Sequence, residues 1–241
     1  MTRSIIKKIA IFALAFFCCG AAHSQEYKHP GLLVLSHGSS SLEVNNKVED
    51  MVARIRKENN EKKLFHAVEN AFLEVGQPTA RTGVERLQKA GCDRIIVVPF
   101  FTSQDGHTQD DIPVVMGLSS NPEVIEELKG EGIALANPTV FVVITKTLNE
   151  TNVLADFIKS EVASMSKKSK EEALVVISLE ANDYRNIVFP TINNATKAAA
   201  QSKDIKKYKD VYSWQDETFW TNVTPTLKEF SKTSRRVIIT S

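Results

Sequence analysis

Short apolar runs, each followed by a polar segment, recur along the chain. Residues 31–36 and 94–101 are rich in Val, Ile and Leu, residues 64–72 combine Leu and Val with Phe and Ala, and each run contains few charged side chains. Runs of this length without strict alternation are typical of strands that are buried on both faces of a parallel sheet. The pattern therefore predicts three such strands in the first half of the chain.

Amphipathic helices are predicted between these strands. The first has apolar positions at helical spacing with charged residues between them, namely Val44, Val48, Met51, Val52 and Ile55. The second has Pro78 in its first turn and Gly91 as its C-terminal cap. An order of strand, helix, strand, helix, strand at these separations implies right-handed crossovers, and hence an α/β fold with a parallel sheet flanked by helices.

The second half of the chain repeats parts of the first. Arg236 lies 142 residues after Arg94 at the start of a similar strand, and Ser178 lies 142 residues after Ser36 at the end of another. Two strands that match at one offset indicate an internal duplication. We therefore expect two similar lobes, residues 28–145 and 146–241, with a ligand cleft between them.

The same offset predicts that the second lobe carries no matching site. It places Leu179 opposite His37 and Asp216 opposite Glu74, and the counterpart of His107 would fall beyond the last residue. The sequence also stops inside a predicted strand, so either the second lobe is abbreviated or the sequence is a fragment. Any site is thus expected in the first lobe, with the second lobe forming a wall and a lid.

The composition argues against one class of partner but does not identify a function. The chain of 241 residues is 42% hydrophobic and 24% charged, with a formal net charge of +1, which is ordinary for a globular protein. A charge this close to neutral gives no basic surface of the kind that binds nucleic acid. Nucleic acid is therefore not expected as a partner.

The first 24 residues have the features of a secretory signal peptide. Basic residues precede an apolar run at 9–17, and Ala22 and Ser24 are small residues suitably placed for cleavage before Gln25. The run is too short for a comfortable transmembrane span. We therefore expect an exported, periplasmic protein that has no transmembrane span after cleavage.

A lipid anchor on Cys18 or Cys19 is the alternative for this segment, although the bulky Phe16 and Phe17 lie where small residues would be needed. After signal cleavage Cys92 is the remaining cysteine, so no internal disulfide is expected.

Three side chains that can ligate a metal follow the ends of the first three predicted strands. They are His37, Glu74 and His107. Neighbouring parallel strands bring their carboxyl ends together at one edge of the sheet, where ligand sites form. Two imidazoles and one carboxylate suit Co²⁺, Fe²⁺, Ni²⁺ or Zn²⁺ and leave coordination positions open. The sequence thus predicts a divalent-metal site used in transit or catalysis.

Three motifs, in order, carry a resemblance to a known family: GLLVLSHGSS from residue 31, AFLEVGQP from residue 71 and PFFTSQDGHTQDDIP from residue 99. The chain resembles the class II metal chelatases of tetrapyrrole synthesis, and within them the sirohydrochlorin cobalt- or iron-chelatases. The resemblance implies that a divalent ion is inserted into a tetrapyrrole macrocycle without a nucleotide. It assigns catalysis and metal binding to His37, Glu74 and His107, and it is compatible with a homo-oligomer.

The resemblance also suggests which residues meet the macrocycle. Gly38, Ser39 and Gly106 would allow close approach of the backbone to a flat ligand, and Phe100 and Phe101 would face it. One departure from the family pattern is Ser40, which stands where many relatives carry an arginine that contacts an acidic ring substituent.

Other functions remain open. An exported carrier of haem, another tetrapyrrole or a metal ion could use the same scaffold without turnover. A histidine phosphatase would need an arginine where Ser36 stands. A zinc hydrolase is allowed by the ligand set but lacks a clear additional base. Asp110 and Asp111 either recruit cations or cap their turn.

Overall fold

The computed structural model describes residues 27–179, 184–214 and 216–240, so the predicted signal peptide and its cysteines lie outside the described residues. The strands are β1 (Pro30–Gly38), β2 (Ala67–Val75), β3 (Arg94–Pro99), β4 (Phe141–Ile144), β5 (Glu172–Ser178), β6 (Lys207–Tyr212) and β7 (Arg236–Thr240). The α-helices are α1 (Leu42–Lys62), α2 (Ala80–Lys89), α3 (Ile112–Val115), α4 (Pro122–Gly130), α5 (Asn152–Met165), α6 (Arg185–Ser202) and α7 (Phe219–Ser231).

The first sheet is parallel and has the strand order β2-β1-β3-β4. Its larger core lies on one face, where fully buried side chains such as Leu33, Leu87 and Ile95 pack together. On the opposite face, Val52 of α1 packs against Leu32 and Val34 of β1. Helices on both faces explain why the central strand β1 is almost continuously apolar.

The second sheet is also parallel, with the order β6-β5-β7. The order matches β2-β1-β3 of the first sheet, and the register is shared: Pro30 pairs with Arg94, and Glu172 pairs with Arg236. Its core includes Leu174 and Ile238. The predicted fold class, α/β with two similar lobes of parallel strands flanked by helices, is confirmed.

The register corrects one position within the repeat. Phe72 pairs with Ser36, and Tyr212 pairs with Ser178. Two residues after these positions lie Glu74, within β2, and Trp214, just beyond the end of β6. The offset between β2 and β6 is therefore 140 rather than 142, and the counterpart of Glu74 is Trp214 and not Asp216.

Three strand and helix boundaries differ from the predictions. The second strand begins at Ala67 rather than at residue 64, because α1 continues to Lys62 and Lys63 turns the chain in a left-handed conformation with a φ of 53°. The third strand ends at Pro99, before the two phenylalanines. Pro78 precedes α2, whose N-cap is the side chain of Thr79.

The third strand is less buried than expected. Its inward side chains Ile95 and Val97 are fully buried, whereas Ile96 and Val98 on the other face are half-buried. That face packs against the small cluster formed by α1 and β1, which does not cover it completely. Among the described helices, none combines the length and the apolar character needed to cross a membrane.

The two lobes are joined by direct hydrogen bonds. The predicted boundary after residue 145 falls just beyond β4, and Asn149 follows in a short turn. The Asn149 side-chain amide donates to Gln104 Oε1 at 2.8 Å and to Thr191 Oγ1 at 2.9 Å. Gln104 belongs to the loop after β3 and Thr191 to α6, so a single side chain connects that loop to the second lobe.

Candidate metal centre

The carboxyl ends of the first three strands bring the predicted ligands together. His37 is the penultimate residue of β1, Glu74 is the penultimate residue of β2, and His107 begins the turn after β3. One ligand atom from each of the three lies within 4.8 Å of the other two. Glu74 lies between the imidazoles, with Oε2 3.2 Å from His37 Nε2 and Oε1 3.3 Å from His107 Nδ1.

Each imidazole has a fixed acceptor for its Nδ1 proton. We assign the Nδ1–H of His37 to the carbonyl oxygen of Gly38 at 2.9 Å, and that of His107 to Asp111 Oδ2 at 2.8 Å. These bonds leave the Nε2 lone pairs for a metal, and they orient the rings as outer hydrogen-bond partners do in metal proteins. The short contact of His37 Nε2 with a Glu74 oxygen then needs a proton or a cation between the atoms.

A local turn positions His107 and Asp111. Residues His107–Asp111 form a π-helical turn that is closed by the bond from Ile112 N–H to the His107 carbonyl. Asp105 and Thr108 start this turn, since the Asp105 carboxylate accepts from Thr108 N–H at 3.0 Å and the Thr108 hydroxyl accepts from Asp105 N–H at 2.9 Å. Turns of this type recur at functional sites.

Asp111 was not recognised from the sequence as the partner of His107. It was expected either to recruit cations or to cap its turn. The spacing of four residues between His107 and Asp111 was the available signal, because such pairs share one face of a helix. Asp110 instead accepts a hydrogen bond from the Tyr184 hydroxyl at 2.5 Å, which connects the turn to the second lobe.

The site has a negative electrostatic potential. The hydrogen bond with Asp111 is the largest cause that raises the pKa of His107 from 6.5 to about 8, against the opposing effect of burial, and the charges of Asp105 and Glu74 contribute in the same direction. Burial, with the charges of Glu74 and Asp111, raises the pKa of Glu131. Such a potential attracts cations.

The two phenylalanines have different environments. Phe101 is buried in the first core, and its ring centroid lies 6.4 Å from that of His37 and 6.3 Å from that of His107. It therefore packs against both candidate ligands from the protein side. Phe100 is 38% exposed and has surface available for a ligand. Contact of either ring with a macrocycle stays a prediction.

The local environments of Gly38, Gly106 and Ser39 differ. Gly38 has a φ of +93°, and a Cβ there would lie 1.9 Å from the carbonyl oxygen of Val75, so the fold itself requires glycine. A Cβ at Gly106 would meet nothing within 4 Å. The Ser39 hydroxyl accepts from Ser41 N–H at 3.1 Å. The predicted contacts of these residues with a macrocycle stay predictions.

A cavity of about 630 Å³ adjoins the loop that carries His107. The first lobe contributes Thr102 and Ser103, and the second lobe contributes the other described lining residues. The residues that line the expected cleft therefore come mostly from the second lobe, at the carboxyl end of its sheet.

Comparison with known proteins identifies the family. A family model described as CbiX matches residues 31–165. A sirohydrochlorin cobaltochelatase of Methanopyrus kandleri is 33% identical over 87 residues, which cover 36% of this chain and 58% of the relative's length. A sirohydrochlorin cobaltochelatase of Saccharolobus solfataricus is 34% identical over 95 residues, which cover 37% of this chain and 74% of the relative.

A solved structure extends the similarity of fold to most of the chain. SirB from Bacillus subtilis with Fe³⁺ superimposes with a TM-score of 0.62 at 14% sequence identity, and the match covers 89% of this chain and 88% of that one. At this identity the likeness supports the fold alone. The matched family model spans more than half of the 241 residues, and the sequence motifs that it covers include all three residues of the metal centre. The chain therefore belongs to the CbiX family.

Proposed function

We propose that this protein inserts a divalent metal ion, Co²⁺ or Fe²⁺, into a sirohydrochlorin-like tetrapyrrole without using a nucleotide. The observation that carries the proposal is the convergence of His37, Glu74 and His107, whose ligand atoms lie within 4.8 Å of one another. The names of the relatives support the reaction, and the donor set suits borderline divalent ions, Ni²⁺ and Zn²⁺ included.

The exposure of the ligands fits an ion that passes through the site. The side chain of His37 is 45% exposed, that of His107 33% and that of Glu74 23%. Three protein ligands leave positions for water or for the pyrrole nitrogens of a ring, whereas a structural metal site is usually closed by four. The ion can therefore be handed over while it is still partly held by the protein.

The same residues can take up the protons that the ring releases. Insertion of a dication displaces two pyrrole protons, and it frees the imidazoles and the carboxylate at the same moment. The pKa of about 8 for His107 in the metal-free site means that this imidazole accepts a proton at neutral pH. Exchange of the dication for two protons keeps the charge of the site constant, which avoids a large electrostatic cost.

The test is Co²⁺ insertion into sirohydrochlorin, followed by absorbance. The purified protein should exceed the uncatalysed rate, and His107→Ala should lower its rate at least ~100-fold, as expected when a proton acceptor and ligand is lost. His66→Ala is the matched control, because His66 bonds the Ala90 carbonyl away from this centre. A wild-type rate equal to the uncatalysed one would reject the proposal.

A carrier of haem, another tetrapyrrole or a metal ion is the second candidate. It is favoured by the N-terminal sequence, because tetrapyrrole synthesis is normally cytoplasmic whereas residues 1–24 have the pattern of a secretory signal. Tight binding of metal and ring without turnover would select this candidate over the chelatase.

We also propose export to the periplasm, with cleavage before Gln25. Mass spectrometry of the protein from the periplasmic fraction should give an N-terminus at Gln25. Retention of Met1 in the cytoplasmic fraction would contradict export, and a lipid on Cys18 or Cys19 would select the anchored form.

A further inference from the structure

The cavity lies where the second lobe would carry a metal centre if the duplication were complete. It is bordered by Ser178 at the end of β5 and Leu179 after it, by Ser213 after β6 and by Thr240 at the end of β7. These positions are the carboxyl ends of the second sheet, as the metal centre is at the carboxyl ends of the first. Among the described residues, the second lobe thus provides an open hollow and no second group of three metal-ligating side chains.

The wall of this cavity is largely apolar. It includes aliphatic side chains from α5, α6 and the second sheet, together with Phe219 and the 66% exposed Trp220. Its aliphatic members are Leu154, Ile158, Val176, Ile177, Leu179, Val188, Ile192 and Ile239. A wall of this kind binds a flat hydrophobic ligand through buried area and ring contact.

No basic side chain lies among the described residues that line the cavity, and its one charged residue is Asp216. A ligand that enters with carboxylates on its edge would find no arginine or lysine there to neutralise them.

The metal centre at the other end of the loop is acidic. Glu74 Oε1 lies 3.3 Å from His107 Nδ1, Asp111 Oδ2 lies 2.8 Å from the same atom, and the Asp105 carboxylate starts the same turn by accepting from Thr108 N–H. The exposed Ser40, next to the His37 motif, adds no positive charge. A ring with carboxylates on many arms would therefore meet unfavourable charge in both places.

We propose that the cavity holds the apolar face of a tetrapyrrole that carries few carboxylates, so that this protein prefers a porphyrin-type ring over sirohydrochlorin itself. The inference rests on the proposed function, which it narrows to one class of substrate. Thr102 and Ser103 connect the two places, because they lie between Phe101, which contacts both imidazoles, and His107. A ring that touches these residues lies against the segment that leads to His107.

The test measures ring binding apart from metal insertion. Metal-free sirohydrochlorin, coproporphyrin and mesoporphyrin carry progressively fewer carboxylates, and each can be titrated by quenching of tryptophan fluorescence or by the absorbance of the ring. Mesoporphyrin should bind at least about tenfold more tightly than sirohydrochlorin at low salt, and the difference should shrink as salt screens the repulsion. Equal binding, tighter binding of sirohydrochlorin or binding of none of the three would overturn the inference.

Substitutions of residues that line the cavity test whether the tetrapyrrole binds there. Thr102 is exposed, and Thr102→Lys places a cation at the rim of the cavity. This change should strengthen sirohydrochlorin binding about threefold to fivefold, as expected for one exposed ion pair, whereas Thr102→Gln, which adds length without charge, should not. Trp220→Ala should weaken mesoporphyrin binding at least about fivefold. Mesoporphyrin binding that is unaffected by Trp220→Ala would place the ring elsewhere and overturn the inference.

The outcomes separate this inference from the proposed function. Preferred binding of mesoporphyrin without metal insertion into any ring would support the cavity assignment and reject the chelatase. Rapid Co²⁺ insertion into tightly bound sirohydrochlorin would support the chelatase and overturn the preference.

Discussion

We predict that the carboxylate of Asp111 controls how strongly protons compete with a metal ion at His107. In the metal-free protein the hydrogen bond from His107 Nδ1 to Asp111 is the main reason that the pKa of His107 is about 8 rather than 6.5. Asp111→Asn keeps the size of the side chain and removes its charge. The pKa of His107 should then fall towards 6.5, because burial, which lowers it, opposes the remaining charges of Asp105 and Glu74.

The size of the effect follows from linkage between proton and metal binding. A metal binds the neutral imidazole, so protonation weakens the observed affinity. With a pKa of about 8, protons at pH 6.5 weaken binding about 30-fold relative to high pH, whereas a pKa of 6.5 gives about twofold. The pH dependence of affinity should therefore largely disappear in the variant, although its limiting affinity at high pH should also be lower.

The assay is calorimetric titration with Co²⁺ between pH 6.5 and 8.5, together with an NMR titration of the imidazole protons in the metal-free protein. Asp110→Asn is the matched control, because Asp110 bonds Tyr184 rather than His107. A wild-type affinity that does not change over this range, or an Asp111→Asn variant with the wild-type pH dependence, would refute the assignment of Asp111.

Three further outcomes are expected. Glu74→Gln keeps the shape of the side chain but removes its charge, so Co²⁺ affinity measured by calorimetry should fall about 10- to 100-fold, and an unchanged affinity would remove Glu74 from the ligand set. Gly38→Ala should lower the free energy of unfolding in urea by about 2–4 kcal/mol, because its Cβ would lie 1.9 Å from the Val75 carbonyl, whereas Gly106→Ala should have little effect. The raised pKa of His107 stabilises the metal-free fold below pH 6.5, and this stabilisation is lost as the pH rises through about 8. The loss in free energy of unfolding should be under ~1 kcal/mol, because this imidazole is partly exposed. A thermal midpoint that increases over the same pH interval would contradict the prediction.

Patterns along the chain were sufficient to predict five of the seven described strands and the three side chains whose ligand atoms converge, but they did not identify β4 or β6. The apolar runs around Leu33, Ile95 and Leu174 identify strands because buried parallel strands have few polar positions. The positions of His37, Glu74 and His107 after successive strands predict one site because parallel strands end at the same edge. These are local features of the sequence combined with one general rule of topology.

Tertiary structure decided the features that depend on how distant segments pack. The requirement for Gly38 comes from the backbone of Val75 on the neighbouring strand. The shift from Asp216 to Trp214 as the counterpart of Glu74 comes from the register of β6, which a constant offset in sequence does not show.

The sequence by itself determined the fold class and which residues can hold a metal, because hydrophobic periodicity and ligand chemistry are properties of single segments. The three-dimensional arrangement alone decided that Asp111 orients His107 and that the cavity lies on the second lobe beside Thr102. The physical reason is that hydrogen-bond geometry, electrostatic potential and enclosed volume arise from contacts between segments, and these exist only once the chain has folded.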